Sequence, residues 1–81
     1  MLSNEEIEQR LKKSDEVFYV KVEGDGYKYQ LTIVSDLFLG KSKVAGKQWV
    51  YAQLKDLITT GRLHALSMKT WTKEEWGNQH G

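Results

Sequence analysis

The stretch VFYVKVEGDGYKYQLTIVS, Val17 to Ser35, constrains the fold more than any other. Two runs rich in β-branched and aromatic residues flank Asp25-Gly26. Such runs favour pleated strands, and Asp-Gly tolerates the positive φ of a tight hairpin turn. Val17–Val22 is the first predicted strand, with Phe18, Val20 and Val22 on one face. Residues 27–35 form the return strand, where Tyr29, Leu31 and Ile33 alternate with Gln30 and Thr32, so one face is the more buried.

The flanking segments predict helices. Ser3 and Glu6 have capping-box spacing ahead of a short helix over residues 3–13, with Ile7 and Leu11 one turn apart. After the hairpin, DLFLGKSKVAGKQ leads into a longer helix. Val44, Tyr51, Leu54 and Ile58 fall on one helical face, with Val50 and Leu57 beside it. Gly46 weakens the first turn and predicts a late start. Gly61 stands where a left-handed C-terminal cap belongs. LHALSMK then reads as a third strand, with His64, Leu66 and Met68 on one face. In TWTKEEW, Thr72 and Glu75 repeat the capping-box spacing, and Trp71 and Trp76 occupy hydrophobic-staple positions around a short final turn. Phe18 and Phe38 read as core. Trp49 lies off the apolar stripe, at the rim or in a partner surface.

The resulting order is α-β-β-α-β. The hairpin is antiparallel, and a helical crossover makes strands two and three parallel. The predicted fold is α/β (α+β): a three-stranded mixed sheet with helices on one face. Its 81 residues form one domain, 1–81.

Composition narrows the function classes. The chain has no cysteine, so it cannot build a disulfide or an all-protein zinc finger. That usage is expected of a reducing compartment. A net charge of +1 is no global basic field for nucleic acid. No apolar run reaches the ~20 residues of a membrane helix, and the acidic start MLSNEEIEQR is unlike a secretory signal. A soluble, cytoplasmic protein without a membrane role is expected. No nucleophile, base and oxyanion hole assemble in the sequence, so no enzyme is predicted.

VSDLFLGKSKV, VYAQL, LHALSMKT and TKEEW, in this order and spacing, resemble the BolA family, most closely its IbaG (YrbA-like) branch. The resemblance runs over nearly the whole chain. It implies a fold similar to class II KH domains. It also implies partnership with a monothiol glutaredoxin, with a [2Fe–2S] cluster shared between the two proteins in cluster trafficking or iron and stress regulation. A DNA-binding transcriptional regulator is the alternative role the family implies. Two positions depart from the family pattern. Lys28 stands where members often carry a histidine or cysteine, and a protonated lysine is a poor iron ligand. Gly46 and Lys47 stand where BolA-proper sequences have a basic Arg-His pair.

His64 is the focal residue. By spacing alone it caps a strand or bonds to backbone at the edge of the core, because a lone histidine carries no metal motif. The resemblance makes it a cluster ligand. Iron–sulfur clusters take mostly thiolates, and this chain offers none. No cofactor is therefore expected for the chain alone; a [2Fe–2S] cluster with glutathione is expected only in complex with a glutaredoxin. The ligating nitrogen must be unprotonated, so binding weakens as pH falls through the range in which free histidine titrates, near ~6.5. Tyr27, Lys28 and Arg62 join His64 as the expected partner surface, although EGDGYKY is equally readable as an ordinary hairpin tip. Glu23 and Asp25 are poor ligands for a soft iron–sulfide centre. His80, near the end, has no expected site role.

GKS invites comparison with a phosphate loop, but the full pattern needs a glycine where Ser35 stands. Gly40, Lys41, Lys43 and Lys47 instead form the candidate nucleic-acid surface, near a helix N-terminus. The G-x-x-G clamp of KH domains is absent, because Lys43 follows where its second glycine belongs. A solvated basic loop is the plainer reading, with weak DNA binding as the alternative. The free protein is expected as a monomer or weak homodimer.

Overall fold

The computed structural model describes residues 2–80 apart from the His80 side chain, so the expectation for His80 lies outside it. The hairpin forms as expected. Strand β1 (Val17–Gly24) pairs antiparallel with β2 (Lys28–Ser35), Val20 opposite Ile33 and Val22 opposite Leu31. Only Gly26 takes a positive φ at the tip, +96°. Asp25 contributes its carboxylate instead: Oδ1 accepts the Tyr27 and Lys28 N–H groups, both at 2.9 Å.

Phe18 corrects the core expectation. The register shifts between Val17 and Tyr19, leaving one extra residue on β1, as in a β-bulge. Val17 and Val20 therefore both pack inward, and Phe18 is 59% exposed. Lys73 Nζ lies 5.1 Å from its ring centroid. Phe38 is buried as expected.

Helix α1 (Asn4–Lys12) starts at Ser3, whose Oγ accepts the Glu6 N–H at 3.1 Å. Ile7 and Leu11 are buried beneath it. Glu8 Oε2 accepts the Val22 N–H at 3.0 Å, which covers part of the otherwise open edge of β1.

Beyond β2, a 3₁₀ turn (Asp36–Phe38) leads to α2 (Lys43–Gln53), capped where Ser42 Oγ accepts the Ala45 N–H. The chain bends at Leu54 and continues as α3 (Lys55–Thr59). The buried stripe is Gly46, Val50, Leu54 and Leu57. Val44, Tyr51 and Ile58, expected on the core face, are exposed. Gly46 is the reason. A Cβ there would lie 3.2 Å from Phe38 Cδ1 and 3.5 Å from Thr70 Oγ1, so its bare face is the one that approaches the sheet. It does not delay the helix, which begins at Lys43. Trp49 is half-buried, edge-on to Phe38 at 6.1 Å. Gly61 has φ +78° after α3, the expected cap.

Strand β3 (Ala65–Trp71) lies parallel to β2, giving the sheet order β1-β2-β3. It starts later than LHALSMK suggests. Leu63 is a buried anchor whose N–H donates to Leu57 O at 3.0 Å. Leu66 and Met68 pack against the core, whereas His64 precedes the strand and is exposed, not on their face.

The buried faces of α1 to α3 join one core with the inward residues of the sheet. The C-terminal segment forms a full helix, α4 (Lys73–His80), and covers the opposite face, which corrects the expectation of helices on one face only. Trp76 stacks on Tyr19 at 5.2 Å and meets Trp71 edge-on at 6.1 Å. Val34, in register with Tyr19 and Trp71, is fully buried. The capping box closes in both directions: the Thr72 N–H donates to Glu75 Oε1 at 2.8 Å, and the Glu75 N–H donates to Thr72 Oγ1 at 3.2 Å. Among the described residues no helix is long and apolar enough to cross a membrane.

Candidate functional site

His64 projects from a short connector fixed at both ends. Buried Leu63 holds one side and the first residue of β3 the other. Its nitrogens have no hydrogen-bond partner among the described residues, and the side chain is exposed. It therefore does not serve as a backbone-bonded residue at the edge of the core.

The hairpin tip supplies its neighbours. Lys28 pairs in register with Ala65, next to His64. The Tyr27 ring meets the His64 ring edge-on, 5.9 Å between centroids. The tip is held by Asp25, whose carboxyl sits below its ordinary value because the Lys28 and Tyr27 N–H groups donate to it. Hydrogen bonds to the ionised form favour ionisation. The expected group thus comes together in part: Tyr27, Lys28 and His64 share one surface. Arg62 is turned to α1 instead, its Nη2 3.0 Å from Glu6 Oε2. The Glu6 carboxylate therefore engages Arg62 rather than completing the expected box with Ser3. No local signal in the sequence pairs residues so far apart along the chain.

The donor set is narrow. Asp25 is occupied by its own turn, and Lys28 brings an ammonium. The chain contains no thiol, and no group of three or more His, Cys, Asp or Glu is placed to hold a metal ion among the described residues. Among the described residues His64 is thus the one imidazole on this surface, with no second donor grouped beside it to hold a metal ion.

The basic loop is a separate place. Gly40 has φ +75°, and a cleft of about 270 Å³ opens between Phe38–Lys43 and Thr70, Thr72 and Glu75. Lys41 and Lys47 are exposed. Lys43 already has a structural task. Its Nζ donates to Thr70 O at 2.8 Å, lies 4.0 Å from Glu75 Oε2 and rests 5.9 Å from the Trp71 ring centroid. The Glu75 carboxyl is held below its ordinary value, first by the Thr72 N–H and then by the Lys43 charge.

Fold and site together define a small α+β protein with one exposed histidine beside a β-hairpin tip. The family model described as BolA-like protein matches residues 5–75. Acid stress protein IbaG of Escherichia coli K12 is 39% identical over 75 residues, which cover 93% of this chain and 89% of that protein. The structure of a bolA protein homologue from Coxiella burnetii superposes with a TM-score of 0.84 at 27% identity, covering 95% of this chain and 99% of that one. The BolA domain of SufE1 from Arabidopsis thaliana gives 0.80 at 31%, over 93% and 99%. The chain belongs to the BolA family.

Proposed function

We propose that this chain is a non-enzymatic adaptor of the cytoplasm. It binds a monothiol glutaredoxin and contributes His64 to a [2Fe–2S] cluster carried between proteins, in cluster trafficking or iron and stress regulation. The observation that carries this reading is the exposed imidazole of His64, free of hydrogen bonds among the described residues, in a chain without a thiol. Thiolate ligands must then come from the partner and from glutathione. Leu63 and the Asp25-held hairpin position the imidazole, and Tyr27 and Lys28 offer the adjoining contact surface. Ligation needs a neutral imidazole, so acid opposes it. A link between acid and this site accords with the name of the Escherichia coli relative, acid stress protein IbaG.

Titration into a cluster-loaded monothiol glutaredoxin, followed by visible absorption and circular dichroism, tests the proposal. A new spectrum is expected with the native chain and not with His64→Ala. An unchanged complex spectrum in the variant overturns the ligand assignment. Lys28→His is expected to alter the spectrum or tighten the complex; no change in either places this loop away from the cluster. The nucleic-acid reading of Gly40, Lys41, Lys43 and Lys47 has no specific observation in its favour, since Lys43 is engaged by Thr70 and Glu75.

A further inference from the structure

The helical face that the core leaves unused is apolar and faces solvent. Val44, Tyr51 and Ile58 recur at seven-residue intervals and are 65%, 41% and 38% exposed. Two helical turns separate Val44 from Tyr51 on α2, and across the bend at Leu54 Tyr51 and Ile58 line one groove, so the three form a ribbon along α2 and α3. Its C-terminal part is a shallow groove of about 380 Å³, floored by Tyr51, Ala52 and Ile58 and edged by Gln48, Lys55 and Thr59. Single exposed apolar residues are ordinary. Three in line on one helical face match the spacing by which helices dock in apolar grooves.

Charge identifies the occupant. From Leu37 to Lys55 the chain has four lysines and no Asp or Glu, in a molecule of net charge +1. Lys43 is engaged at β3, but Lys41, Lys47 and Lys55 have no ion-pair partner among the described residues. The nearby Asp56 is turned to Arg10 of α1. We propose that this face docks an acidic amphipathic helix of a partner protein. The partner's apolar residues lie along Val44, Tyr51 and Ile58, and its carboxylates face Lys47 and Lys55.

The same observations disfavour other occupants. A two-fold contact with a second copy brings lysines together without opposing carboxylates. Nucleic acid has no use for aliphatic side chains on the contact line, and Tyr51 is the ribbon's single stacking ring. A membrane surface favours a broad apolar helical face, whereas Gln48 interrupts this ribbon and the helix bends at Leu54. The inference goes beyond the glutaredoxin reading and shares no residue with the His64 surface.

The test is an NMR titration of the isotope-labelled full chain. The probe is a designed helical peptide of about 18 residues, with leucines on one face and glutamates flanking them. Controls are the same peptide with lysine for glutamate, phosphatidylglycerol vesicles and a single-stranded oligonucleotide. Binding of the glutamate peptide alone is expected, with amide shifts confined to residues 44–59 and affinity falling as salt rises. Tyr51→Glu, Ile58→Glu and the Lys47→Glu, Lys55→Glu pair should each weaken it at least about tenfold. These side chains are exposed, so a native spectrum is expected for every variant, and the lysine pair carries the test if an apolar-site variant unfolds. Equal binding of both peptides, shifts elsewhere or no shifts overturn the proposal. So does binding of vesicles or oligonucleotide on this face, or concentration-dependent dimerisation through it.

Discussion

Phe18 and Phe38 look equivalent in the sequence, and the structure separates them. Phe38 is 7% exposed, packs edge-on to Trp49 and lies under Gly46. Truncating such a ring to alanine costs about 3–5 kcal/mol, from lost transfer energy plus the cavity left behind. Typical domain stability of about 0.05–0.15 kcal/mol per residue gives roughly 4–12 kcal/mol for a chain this long. Phe38→Ala therefore removes roughly a quarter or more of the total. Phe18 is 59% exposed and keeps mainly the contact with Lys73. An exposed cation–π contact is worth about 0.5–1 kcal/mol, so Phe18→Ala should cost no more than that. Urea unfolding followed by far-ultraviolet circular dichroism measures both by linear extrapolation. In thermal melts each 1 kcal/mol corresponds to about 4–8 °C. A Phe18→Ala loss as large as that of Phe38→Ala refutes the bulge and the burial argument built on it.

Gly46→Val should lose about 1–3 kcal/mol by overpacking against Phe38 and Thr70, measured by urea unfolding; a gain in stability contradicts the close approach of α2. The folded Glu75 carboxyl titrates below its ordinary value of 4.5. Its stabilisation of α4 is therefore full above that value and lost as pH falls through the lower folded value. Protection of the Thr72 amide, its exchange rate relative to the intrinsic rate at each pH, should fall over that acid window in the native chain and show no such step in Glu75→Gln; matching profiles refute the cap assignment. Asp25→Ala should speed amide exchange at Tyr27 and Lys28 at neutral pH, and unchanged exchange there shows that the carboxylate does not hold the tip.

The legible parts of the fold are those set by neighbours in sequence. The Asp25-Gly26 turn, the Ser3 and Thr72 caps, the Gly61 cap and the Trp71–Trp76 staple each depend on residues a few positions apart. The parallel crossover followed from the element order. Alternation places Phe18 inward because it assumes an unbroken ladder, and a bulge shifts which residues face inward. Periodicity puts Val44, Tyr51 and Ile58 on the core face because it gives no weight to glycine. Gly46 carries no apolar side chain, yet its close packing decides which face of α2 is buried. At the site, Tyr27 beside His64 follows from the hairpin and the parallel register. The engagement of Arg62 by Glu6 and of Lys43 by Thr70 depends on contacts across the fold that no local pattern encodes.

Pulsed electron paramagnetic resonance on the reduced cluster, in complex with a monothiol glutaredoxin, addresses the His64 assignment at the atom concerned. This chain is labelled with ¹⁵N-histidine. A hyperfine coupling to labelled nitrogen is expected in the native chain and in His80→Ala, and is expected to vanish in His64→Ala. A complex without that coupling, or one that retains it in His64→Ala, contradicts the proposed ligation.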